Sequence, residues 1–117
     1  MQLATFLKNV RRQARLELRL GRLELVTARA EDAKDTDLVA KYDKEGKRRL
    51  AEIHYLETRN EADLEDNPDW KAHHDGIREA VLAGARGSKK AKAIMGAVLK
   101  SGAAPAQAAA EAEVATE

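Results

Sequence analysis

The sequence predicts an all-α protein, a bundle-like chain of three or four helices followed by a disordered C-terminal tail. Three observations carry the prediction. Apolar residues recur at three- and four-residue spacing in separate stretches, most cleanly at Ala91, Ile94, Met95, Val98 and Leu99. Leu, Ala, Arg, Lys and Glu are abundant, and these side chains lose least on entering a helix, whereas the aromatic residues reduce to Phe6, Tyr42, Tyr55 and Trp70. Breakers fall between the periodic stretches: Pro68 follows an asparagine, and Gly84 and Gly87 frame a short turn. The chain is therefore expected to form one helical domain over residues 1–100 and a low-complexity Ala/Glu tail over 101–117.

Residues 2–33 read as the first helix, with Leu3, Phe6, Leu7, Val10 and Ala14 on one face. A β-hairpin over 15–27 is the competing reading. Residues 15–20 and 23–26 alternate, Gly21-Arg22 suits a two-residue turn, and Leu20 would face Leu23 while Arg19 faces Glu24. The helix is favoured because β-branched and aromatic residues are nearly absent there and two strands without a third are marginal in water. Asp35, Thr36 or Asp37 caps the second helix, whose stripe of Leu38, Val39, Tyr42, Leu50, Ile53, Leu56 and Leu64 has Gly46 as its weak point. Asn67 then caps a third helix with Pro68 in its first turn, running to about Ala83 with Trp70, Ile77 and Val81 inward. Ser88 is expected to cap the fourth. Residues 101–117 contain Pro105 and have almost nothing to bury.

Charge is arranged in blocks although the formal net charge is only +1. On a helix, Lys8, Arg11, Arg12, Arg15, Arg19, Arg22 and Arg29 fall within an arc of roughly 100°, a cationic stripe. Arg86, Lys89, Lys90 and Lys92 form a second basic cluster, and Glu57, Glu61, Asp63, Glu65, Asp66 and Asp69 an acidic one. The stripe suits two kinds of partner, the acidic segment 57–69 of the same or another copy, or a phosphate backbone. Leu16, Leu18, Leu20, Leu23 and Leu25 point to both sides of the stripe and are the expected oligomer interface. Much of the 44% hydrophobic content is alanine, which contributes little next to the roughly 1.5–3 kcal/mol of a buried Leu or Ile. A thin core of this kind favours association, through coiled-coil-like helix pairing.

Leu82 to Met95 (LAGARGSKKAKAIM) resembles the hairpin and second helix of the helix-hairpin-helix motif. Gly87 is followed by Lys89, Ala91, Ile94 and Met95 in the motif's order, while two residues rather than one separate Gly84 from Gly87. The resemblance covers 14 of the 117 residues. It implies sequence-non-specific DNA binding, in which backbone N–H groups of the turn meet a phosphate. A helix start beside Lys89, Lys90 and Lys92 attracts an anion on physical grounds as well.

Other function classes find little support. No cysteine is present, so disulfides, thiol nucleophiles and zinc–thiolate sites are excluded. The basic residues from Lys8 onward interrupt any signal core, and nowhere do about 18 apolar residues run together, so no membrane partner and a cytoplasmic location are expected. His54, His73 and His74 are the only imidazoles, with His54–Glu57 and Asp69–His73 as possible one-turn pairs, and neither completes a metal site. Serine occurs only at 88 and 101, and no phosphate loop or nucleophile motif is present. Neither catalysis nor a cofactor is expected. The residues thus read as a non-enzymatic structural or adaptor protein that self-associates or docks in a larger assembly, with sequence-non-specific nucleic-acid binding as the alternative.

Overall fold

The structure, a computed structural model, describes residues 2–84 and 86–101, the side chain of Ser101 excepted. Of the tail expected over 101–117, Ser101 ends α4 and the rest lies outside the described residues. Within them the chain is all-α and bundle-like: α1 (Leu3–Asp32), α2 (Thr36–Asp66), a 3₁₀ turn (Pro68–Trp70), α3 (Lys71–Leu82) and α4 (Gly87–Ser101), with no strand.

Helix α1 runs unbroken through Gly21, so the hairpin over 15–27 does not form. The physical reason is the partner. Leu16 and Leu23, two turns apart, are both buried, and Leu16 packs on Ile53 and Leu56 of the antiparallel α2. Thirty-one residues of α2 give α1 a full stripe to bury, which outweighs the roughly 0.5–1 kcal/mol that one interior glycine costs. Gly46 does not break α2 either, because it faces Leu23 and Leu20 across the interface, where a Cβ would make ordinary contacts of 3.6 and 3.9 Å.

The link between α1 and α2 is a complete Schellman turn. Lys34 N–H donates to Glu31 O and Asp35 N–H to Ala30 O, both at 3.0 Å. Its left-handed position is held by Lys34 at φ 58°, a place usually given to glycine. Asp35 then caps α2 as expected, its Oδ1 accepting from Leu38 N–H at 3.2 Å.

Helices α3 and α4 cover only the first half of α1. Phe6, Leu7, Val10 and Ala14 form the main core with Ile77, Val81, Ala91, Ile94 and Val98. Phe6, Leu7, Val10 and Ile77 are fully buried, each contributing about 1.5–3 kcal/mol. Trp70 packs on Phe6 with ring centroids 5.0 Å apart. Beyond Leu20 the two long helices continue without a third layer among the described residues. The radius of gyration is accordingly 16.6 Å and the extents 53 × 35 × 14 Å, against about 13 Å for a compact domain of a hundred residues.

Four expectations are corrected. Asn67 holds the N-cap position of the 3₁₀ turn that precedes α3, but its side chain makes no cap bond and turns back to donate to Asp63 O at 3.1 Å. Ser88 is not the cap of α4, which already begins at Gly87. Leu99 and Leu50, read as inward, are 46% and 44% exposed. The leucine group of residues 16–25 is split, with Leu16 and Leu23 inside and Leu25 63% exposed.

A polar ladder crosses the interface of α2, α1 and α3. Asn60 Nδ2 donates to Gln13 Oε1 at 2.8 Å, Gln13 Nε2 to Glu17 Oε1 at 3.1 Å, and Arg78 Nη2 to Glu17 Oε2 at 2.6 Å. Glu17 therefore serves α3 instead of standing idle behind the basic stripe.

Candidate nucleic-acid interface

The sector of α1 that carries the stripe lies between α4 on one side and α2 on the other. Its two margins are fixed by neighbours. Arg11 donates from Nη2 to Ser88 Oγ at 2.7 Å and from Nε to Ser88 O at 3.3 Å, in the first turn of α4. Arg12 donates from Nε to Glu52 Oε1 of α2 at 2.7 Å. Between these anchored arginines, Lys8, Arg15 and Arg19 stand at the surface with no ion pair among the described residues, as does Arg22 further along. The intrachain pairing expected between the stripe and 57–69 is not formed, because α2 presents Glu52 to it and buries Asp63.

The Arg11–Ser88 bonds bring together the two basic clusters that the sequence keeps apart. Arg15, Arg19 and Arg22 line one cleft with Leu18, Val81, Gly84 and Ser88, so the row of guanidinium groups passes beside the α3–α4 turn. Lys92, one turn after Ser88, falls on the same side of α4. Lys89 and Arg86 are exposed at the start of that helix. The turn itself departs from the resembled motif for a packing reason: Gly84 has φ +131°, and Gly87 abuts the backbone of Ala80 and Val81 in α3. Gly84 O accepts from Gly87 N–H at 2.9 Å.

Crowding of like charge marks this face. Burial, and next the charge of Arg15, lower the pKa of Arg11 from its ordinary value. An arginine stays protonated under such pressure.

Reading the sequence missed part of the face. On α2, Lys41, Lys44, Glu45 and Arg48 line a shallow cleft, and Arg48 is one turn before Glu52, the partner of Arg12. Tyr55, on the same side two turns after Arg48, is 61% exposed and accepts from Arg59 Nη1 at 3.0 Å. The signal was present in KYDKEGKRR, residues 41–49, where Asp43 and Glu45 disguise five cations as an ordinary solvated helix. Arg29, by contrast, lies beyond the globular end, near the tip of the long hairpin.

The histidines do not converge. His54 Nδ1 stands 3.9 Å from Glu57 Oε2, and His74 Nδ1 is 2.9 Å from Asp75 Oδ1. Among the described residues no group of three or more His, Asp or Glu side chains is placed to hold a metal. No helix there is long and apolar enough to cross a membrane.

The fold and this face define the chain as an all-α helical hairpin with a two-helix buttress and a basic surface spanning three helices. No known protein family, curated protein or solved structure matches it.

Proposed function

We propose that the protein is a non-enzymatic component of a nucleoprotein assembly that binds nucleic acid without sequence preference through the α4–α1–α2 basic face. The observation that carries the reading is the seating of Arg11 on Ser88, which makes one surface of the stripe and the 86–92 cluster. From Lys8 to Arg22 the row is about 21 Å long, the axial span of about six base pairs. Phosphates answer the unpaired arginines at no cost in specificity, since backbone contacts position a protein without reading bases. Tyr55 adds a surface on which an unpaired base can stack.

Fluorescence anisotropy with a short duplex and with a single strand of the same length, over a series of salt concentrations, tests the reading. Affinity should fall linearly on logarithmic axes, and Arg15→Ala with Arg19→Ala should reduce the slope by about two. Tyr55→Ala should weaken the single strand more than the duplex. No binding of either probe at about 50 mM salt, or a slope untouched by the double change, rejects it.

A second reading, self-association, is favoured by the exposure of Leu25 and Leu50 on the part of the hairpin that α3 and α4 leave uncovered.

A further inference from the structure

Along the first half of α1, α3 packs on α1 beside α2, with Ile77 and Val81 buried and Arg78 paired with Glu17 at 2.6 Å. Past the end of α3 a groove between α1 and α2 lies open among the described residues, with a volume of about 400 Å³, a floor of Leu20, Leu23, Tyr42 and Gly46, and Asp43 and Lys47 on its α2 wall. Glu24 and Glu31, which also line it, continue the row that Glu17 begins at an interval of seven residues, or two helical turns. Neither has an ion pair among the described residues. An occupant that matches this lining is an apolar helical edge with basic residues two turns apart.

The other side of α1 supplies such an edge. Leu25 is the most exposed of the large hydrophobic side chains, at 63%. Arg22 and Arg29, one turn to either side of it and seven residues apart, have the period of Glu24 and Glu31 and no ion pair among the described residues. On the helix, Leu25 and Arg29 are turned by more than about 90° from Glu24 and Glu31, so this edge cannot reach the groove of its own copy. The edge of a second copy can.

We propose that the Leu25 edge of one copy, flanked by Arg22 and Arg29, seats in the open groove of a second copy against Glu24 and Glu31. This rests on the self-association reading and not on the nucleic-acid one. Because the contact joins two different surfaces, each bound copy still offers a free groove and a free edge, and association continues head to tail into rings or filaments.

The test is mass by light scattering across a concentration series of protein freed of nucleic acid, with circular dichroism confirming that each variant is folded. Wild type should grow beyond a dimer. Leu25→Glu spoils the edge and Glu24→Lys with Glu31→Lys spoils the groove; all three positions are exposed, and each variant alone should be monomeric. Mixed in equal amounts they should form a one-to-one dimer that grows no further, since one intact edge and one intact groove remain. Wild type that stays monomeric overturns both self-association and this interface. Wild type that associates while either variant also does, or while the mixture stays monomeric, overturns the interface alone.

Discussion

Gly87→Ala should uncouple the basic face without altering a single charge. A Cβ at Gly87 would press on Ala80 O and lie 2.6 Å from Val81 O and 2.9 Å from the Ala80 carbonyl carbon, all inside the 3.0 Å that Cβ atoms keep from other heavy atoms. The obstructing atoms are backbone in the last turns of α3, so no rotamer change relieves them. Helix α4 must lift, loosening Ala91, Ile94 and Val98, which are at most 2% exposed. Overpacking costs about 1–3 kcal/mol where side chains can adjust, and a rigid obstruction belongs at the top of that range. At about 4–8 °C per kcal/mol for a domain of this size, the thermal midpoint should fall by roughly 12–24 °C. The same shift carries Ser88 away from Arg11, so duplex affinity should drop in parallel while its salt slope stays nearly constant. Thermal and urea unfolding by circular dichroism, beside anisotropy with the duplex, read both effects. Gly96→Ala is the control, because nothing lies within 4 Å of its added Cβ. A Gly87→Ala midpoint within about 4 °C of wild type would refute the packing argument.

The helices were legible because each carries its own periodic signal. Leu3 to Ala14, Ile53 with Leu56, Ile77 with Val81, and Ala91 to Val98 all point inward as their spacing requires. What periodicity does not encode is how far a neighbour reaches. Whether Leu25 is buried depends on where the α3–α4 pair ends along α1, and that is set by Gly84, Gly87 and the close approach of α4 to Ala80, not by anything near residue 25. The candidate site was half legible for the same reason. The stripe on α1 follows from local spacing, but its neighbours are long-range: Ser88 meets Arg11 across 77 residues and Glu52 meets Arg12 across 40. Ser88 has the chemistry of a cap, and the fold uses it instead to hold a guanidinium. The turn between α1 and α2 was legible from the cap at Asp35, although Lys34 in the left-handed region leaves no glycine to mark it. Asn60 and Gln13 resemble solvated helix residues in the sequence, and only the pairing of α1 with α2 buries them.

Gly21→Ala should stabilise the protein by about 0.5–1 kcal/mol, because the residue is mid-helix and exposed with open space around its Cβ; a lowered unfolding midpoint contradicts the continuous α1. The remaining prediction concerns the polar ladder. Asn60 is 1% exposed and Gln13 6%, so Asn60→Ala strands Gln13 Oε1 in the interface, and a buried unpaired group costs about 1–3 kcal/mol. Replacing both residues by leucine removes that penalty along with the unpartnered Oδ1 of Asn60, and exchanging a buried polar pair for apolar groups of similar volume is near neutral. Urea unfolding should therefore place the double leucine variant within about 1 kcal/mol of wild type and well above Asn60→Ala. Gln13→Leu alone should be destabilised, since it deprives Asn60 of its acceptor. If the effects of Asn60→Leu and Gln13→Leu measured singly simply add in the double variant, Asn60 and Gln13 are not coupled and the register of α1 on α2 is held by Leu16, Ile53 and Leu56 without them.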